Sequence, residues 1–164
     1  MLFFYNNTGD KMKIYIDYVL FINFVFDLLL LLGVSTILKR NTSINRIIIG
    51  AFFGSLTILL LFIKINNLEL FLFKFIISIF MIIISFGYKN IKYFFKNLLF
   101  LYILGFILGG ALYGINNQFS YKNVGLIFIN KGISINIIFI LIISPIIIYF
   151  YTKEMKNLKN NYNN

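Results

Sequence analysis

Cysteine, histidine and tryptophan are all absent from this chain, and proline occurs once. Without cysteine there are no disulfides and no thiolate chemistry, and the redox compartment is left open. Without histidine and cysteine, Ser-His and Cys-His nucleophile pairs and the common transition-metal sites are excluded. Acids are scarce too: 5 Asp and Glu stand against 15 Lys and Arg. They are Asp10, Asp17, Asp27, Glu69 and Glu154. None has a second acid beside it in its own segment, so no catalytic carboxylate pair is visible. Glycines are grouped late in the chain, but without the strand-loop-Lys context of a phosphate loop. These residues assign no catalytic group, no metal and no cofactor. Polar aromatics are not interleaved with a basic run outside the apolar segments, which excludes a nucleic-acid surface.

What is abundant is apolar: 60% of residues are hydrophobic and 20% aromatic. A soluble domain of this length does not have that composition. The organising stretch is residues 12–40, MKIYIDYVLFINFVFDLLLLLGVSTILKR. About 20 apolar residues at 1.5 Å rise cross the roughly 30 Å hydrocarbon core of a bilayer. The run is too long for a signal peptide, and Lys39-Arg40 stands where a cleavage site would be. Three groups that a bilayer disfavours lie within it: Asp17 near the entry end, then Asn23, then Asp27 near the middle. A central acid costs about 2.5–3.5 kcal/mol. Each large apolar residue returns about 0.3–0.6 kcal/mol, so insertion wins. Asn23 and Asp27 are one turn apart on one face, and Asp17 lies within about 120° of both. That side is expected to face protein. Desolvation disfavours the charge on Asp27, which predicts a neutral carboxyl or a cation partner.

The sequence predicts an all-α, polytopic bundle of five transmembrane helices, with spans at about 14–38, 44–63, 68–88, 94–115 and 134–151. Residues 1–11 form an N-terminal extension, 12–152 the membrane domain, and 153–164 a polar, frayed cytoplasmic tail. In the extension, Asp10 follows Thr8-Gly9, which is not the Asp-Thr-Gly order of aspartic proteases. In the second span, Gly50, Ala51, Gly54 and Ser55 make a GxxxG with a second small pair, suited to close helix contact within the chain; a homodimer face is the alternative. In the third, Glu69 and Lys74 lie in the first turns and snorkel to the interface. A sharper reading has Lys74 neutralising an acid of the first span, with depth favouring Asp17 over Asp27. Lys89, Lys92 and Lys96 alternate with aromatics in a connector that meets anionic lipid. Gly105, Gly109, Gly110, Ala111 and Gly114 make the fourth span the expected close-packed seam, against the second span. The connection 116–133 contains VGLIFI before Asn130-Lys131-Gly132, a weak strand-and-turn pattern. Pro145 predicts a kink in the fifth span.

Lys and Arg are concentrated in the 1–2 turn, the 3–4 connector and the C-terminus. The positive-inside rule then places the C-terminus in the cytoplasm and the N-terminus outside. On residues alone this is a lipid-embedded module of the cell membrane. A small-molecule-binding membrane subunit of a transporter is the alternative, since an intramembrane acid could hold a cationic ligand.

The order Tyr15-x-Asp17, Asn23-Phe24-x-x-Asp27, the Leu run, Leu38-Lys39-Arg40 and Gly50-Ala51-x-x-Gly54-Ser55 resembles the start of the sporulation sigma-E factor-processing peptidases. The later FGYKNIKYFFKNLLFLYILGFILGGALYG resembles the same family's third-to-fourth span region. The resemblance covers about residues 12–152. It implies a five-span membrane half joined to a cytoplasmic aspartic-protease-like domain that acts as a dimer. It further implies a mother-cell membrane facing the forespore, a forespore-secreted signalling protein as partner, and the sigma-E precursor as substrate. The family's Asp-Ser/Thr-Gly catalytic aspartate has no counterpart here, so whether this chain is itself an enzyme is left open. The expected role is the membrane and sensor half, with 116–133 meeting the signal.

Overall fold

The computed structural model describes residues 2–5, 11–14, 16–62, 66–119, 122–124, 127–129 and 135–163. Five helices carry the architecture: α1 (Ile16–Ile37), α2 (Ile44–Ser55), α3 (Asn67–Phe86), α4 (Ile91–Phe119) and α5 (Ile135–Asn163). Two antiparallel ribbons accompany them. β1 (Leu2–Tyr5) pairs with β2 (Lys11–Ile14), and β3 (Lys122–Val124) with β4 (Ile127–Ile129). The core is therefore all-α as expected, and the ribbons are an addition. The strand expected in VGLIFI exists over 127–129, but it pairs backward with 122–124. Residues 130–134, where the turn was expected, lie outside the described residues, as do 120, 121, 125 and 126 of the connection 116–133.

Among the described residues, four helices are long and apolar enough to cross a membrane: those containing 17–37, 68–86, 91–118 and 136–161. The second expected span is built differently. α2 has 12 residues and continues as a 3₁₀ segment, Leu56–Phe62, of 7 residues. Two hydroxyls tighten this stretch. Ser55 Oγ donates to the Phe52 carbonyl at 2.8 Å, and Thr57 Oγ1 to the Gly54 carbonyl at 2.9 Å. Such local bonding competes with the α ladder. At about 1.5 Å rise per α residue and 2.0 Å per 3₁₀ residue, the two pieces together reach roughly 32 Å.

α1 is the central helix. Its all-round apolar character is that of a rod covered on several sides. Leu31, Leu32 and Val34 are buried among Ile47 and Ala51 of α2, Ile82 and Phe86 of α3, Leu98 and Leu101 of α4, and Tyr151 of α5. The outer surface carries large exposed apolar side chains, Phe106 at 78% and Phe21 at 60% among them. Water penalises such a surface, whereas lipid does not.

The ends are held by specific bonds. α1 closes in a Schellman turn: Arg40 N–H reaches the Ser35 carbonyl at 2.8 Å and Lys39 N–H the Thr36 carbonyl at 3.3 Å. Lys39 takes the left-handed position itself, with φ 52°, and Ser35 Oγ donates to the Arg40 carbonyl at 3.0 Å. Glu69 has a local role at the start of α3, where its carboxylate accepts from the Asn66 N–H at 3.2 Å. Arg46 donates from Nε to the Ile84 carbonyl at 3.1 Å, covering the C-terminus of α3.

The tail differs from expectation. α5 runs unbroken through Pro145 and on to Asn163. Tyr151, Met155 and Leu158 recur at helical spacing, and Met155 packs against the core. Tyr151 OH donates to the Thr42 carbonyl at 2.9 Å in a buried bond. An ion pair at 3.9 Å joins Lys39 and Glu154.

Candidate functional site

The GxxxG of α2 positions the acid of α1. A Cβ built on Gly54 would lie 2.5 Å from Asp27 Oδ2 and 2.5 Å from Met81 Sδ. The missing side chain is thus the space that the carboxyl group occupies. One turn earlier, a Cβ on Gly50 would collide with Ser85 Oγ and lie 3.1 Å from the Met81 carbonyl oxygen. Gly50 and Gly54 therefore bring α2 against α3 and α1 within one chain.

Beyond Gly54 a cavity of about 430 Å³ opens, lined by Asp27, Thr57, Lys74, Ser78, Tyr102 and Gly105, with aliphatic and aromatic side chains between them. Ser78 Oγ donates to the Phe75 carbonyl at 2.7 Å, and its oxygen lies 2.8 Å from Tyr102 OH. Its proton being committed, the phenol is the donor of that second bond. Asp27 and Lys74 have no ion pair or hydrogen bond among the described residues. An acid and an ammonium thus share one cavity without touching. A lone carboxylate of this kind can hold or exchange charge, but it has no second carboxyl with which to divide acid and base roles.

The sequence-derived candidates separate into two groups. Asp27, Lys74 and Gly54 come together, with Gly105 at the cavity's far wall. Depth had suggested Asp17 as the acid for Lys74, whereas the structure puts Lys74 on the cavity of Asp27. Asp17 sits exposed in the first turn of α1, where a helix N-terminus favours an acid. Asn23 turns back on its own helix, with Nδ2 donating to the Val19 carbonyl at 3.0 Å. The seam expected along α4 is not formed among the described residues, of which none would lie within 4 Å of a Cβ at Gly105, Gly109, Gly110 or Gly114. The reason is that α4 packs through Phe94, Leu98 and Leu101 at one end and meets α5 at Asn116 near the other, with an open side along the glycines between. The close approach is made instead by Gly33 of α1, whose Cβ would lie 2.9 Å from Leu104 Cδ1.

Thr57, Ser78 and Tyr102 were not picked out from the sequence, nor was Asn97. Asn97 is fully buried, accepts at Oδ1 from Arg40 Nε at 2.9 Å, and leaves Nδ2 without a partner among the described residues. The Arg40 guanidinium lies 3.9 Å from the Tyr93 ring centroid. Near the other end of α4, Asn116 Nδ2 donates to Asn136 Oδ1 at 3.0 Å, tying α4 to α5. A signal for all of these was available: polar residues within otherwise apolar runs mark buried contacts in membrane helices.

Apolar helices of spanning length fit a bacterial membrane protein. The family model described as Sporulation factor SpoIIGA matches residues 13–163, and the chain belongs to that family. It is 36% identical over 155 residues to the sporulation sigma-E factor-processing peptidase of Priestia megaterium, covering 90% of this chain and 50% of that protein. It is also 36% identical over 114 residues to the protein of that name from Bacillus subtilis, covering 69% of this chain and 37% of the relative. The chain thus spans about half the length, or less, of the curated relatives it matches. No solved structure matches it.

Proposed function

We propose that this chain is the membrane-embedded sensor half of a sigma-E factor-processing aspartic endopeptidase. In this reading it crosses the membrane five times, with the N-terminus outside and the C-terminus in the cytoplasm. Residues 116–133 meet a forespore-derived signalling protein. α5 carries the response toward the protease, which matures the sigma-E precursor as a dimer. The observation that carries the reading is the family match, which takes in the whole helical bundle. The roughly 32 Å reach of α2 with its 3₁₀ continuation supports a fifth span. The unbroken course of α5 past Tyr151 supports a stiff output. The match also favours the peptidase reading over a transporter subunit.

In sporulating cells, residues 13–163 are expected to replace the matching half of the Bacillus subtilis relative and sustain signal-dependent cleavage of its precursor, followed by immunoblot. A chimaera that reaches the membrane and leaves the precursor uncut overturns the proposal. Orientation has its own test, made simple by the absence of native cysteine. A single cysteine at Asn123 is expected to react with an impermeant maleimide in intact cells. One at Asn160 is expected to react only after lysis, and the reverse pattern would invert the topology.

A further inference from the structure

Three features of the same region are unexplained by static packing. The first is the cavity, with the Asp27 carboxyl and the Lys74 ammonium on its walls and no partner for either among the described residues. Asp27 is half-buried, where a carboxylate is costly alone; Lys74 is exposed near the start of α3 and offers the counter-charge on the same cavity. The second is the 3₁₀ segment Leu56–Phe62, which forms the wall at Thr57. It follows the end of α2, where 3₁₀ turns are common, but at 7 residues it is longer than the usual three or four. The third is the middle of α4. It is anchored at Tyr102 to α3 and at Asn116 to α5. Between these anchors, Gly105, Gly109, Gly110 and Gly114 have open space where a side chain would go. Glycine in mid-helix weakens the helix and removes the bulk that would resist approach.

We infer that this region is a two-position element: the glycine-rich middle of α4 moves inward against the 3₁₀ segment and α3, the cavity collapses, and Lys74 closes onto Asp27. The structure described above is the open position. The cavity needs no guest, because the two charges on its walls satisfy each other once it shuts. Tyr102 and Ser78, already bonded, lie at the base of the moving part, and Gly105 follows Leu104, the last α4 residue seated against α1. The inference concerns the bundle itself and holds whether or not the chain serves sporulation.

The test uses the chain with cysteines placed at Phe71 and Ala111, both exposed, carrying spin labels, in lipid nanodiscs. Pulsed dipolar spectroscopy is expected to give two distance populations. Asp27→Asn and Lys74→Gln should each deplete the shorter population at least twofold. The exchanged pair, Asp27→Lys with Lys74→Asp, should restore it. A Cβ at Gly105 meets nothing within 4 Å among the described residues, so Gly105→Leu is expected to fold normally and to abolish the shorter distance. A single population that none of these variants alters, or a Gly105→Leu protein that keeps both distances, overturns the inference. Because the chain alone is measured, this outcome is separate from that of the chimaera.

Discussion

Gly50→Ala is expected to destabilise the bundle by about 1–3 kcal/mol, the usual cost of forcing a methyl into a filled core. The added carbon would meet Ser85 Oγ, the Met81 carbonyl oxygen at 3.1 Å and Leu31 Cδ1 at 3.3 Å. Ser85 can rotate away, but the Met81 carbonyl belongs to the backbone of α3 and moves only if the helix moves. Gly50→Leu should therefore separate α2 from α3 altogether. Gly109→Ala is the internal comparison. Its new methyl meets nothing within 4 Å, so it should gain the helix-propensity difference of up to about 1 kcal/mol. Thermal unfolding in detergent, followed by circular dichroism, separates the two. Equal midpoints for Gly50→Ala and Gly109→Ala would mean that the α2–α3 approach is not as close as described.

That comparison shows where spacing in the sequence is informative and where it is silent. Both glycine groups have the same small-xxx-small pattern, and both read as seams. Only the one on α2 is a seam within the chain, because α2 lies between α1 and α3, while the middle of α4 has an unfilled side. A pattern of small residues states that a backbone can be approached, not that a neighbour is there to do so. The long helices were legible because apolar runs of spanning length have few other outcomes. The break of α2 into a 3₁₀ turn was not: Ser55 and Thr57 hydroxyls bond carbonyls three residues back there, but Ser78 and Thr152 do the same within unbroken helices. The helical tail was legible in principle, through Tyr151, Met155 and Leu158, but its polar composition outweighed that spacing. Asp27 could be singled out because an acid in an apolar run is conspicuous. Lys74 could be named but not matched, because depth along a helix says nothing about which neighbour its side chain faces.

Arg40 carries the second large effect. By sequence it is one of several positive charges that set orientation. In the structure its Nε donates to the buried Asn97 Oδ1 at 2.9 Å and its guanidinium lies over Tyr93 at 3.9 Å. Asn97 already leaves Nδ2 unpaired among the described residues. Arg40→Ala would strand the other half of a fully buried amide, so a loss of about 2–4 kcal/mol is expected. Asn97→Leu removes both amide atoms together and should cost less, since no orphaned group is left behind. In the Asn97→Leu background, Arg40→Ala then forfeits only the contact with Tyr93, about 0.5–1 kcal/mol. The double-mutant cycle should accordingly give a coupling of about 1.5–3 kcal/mol. Arg40→Lys keeps the charge that governs orientation but cannot both bond the amide and lie flat on the ring. It should preserve topology, read by the cysteine at Asn160, while losing a substantial part of the stability. Were Arg40 a topogenic charge and nothing more, Arg40→Lys would be silent in both measurements and the coupling to Asn97 would vanish.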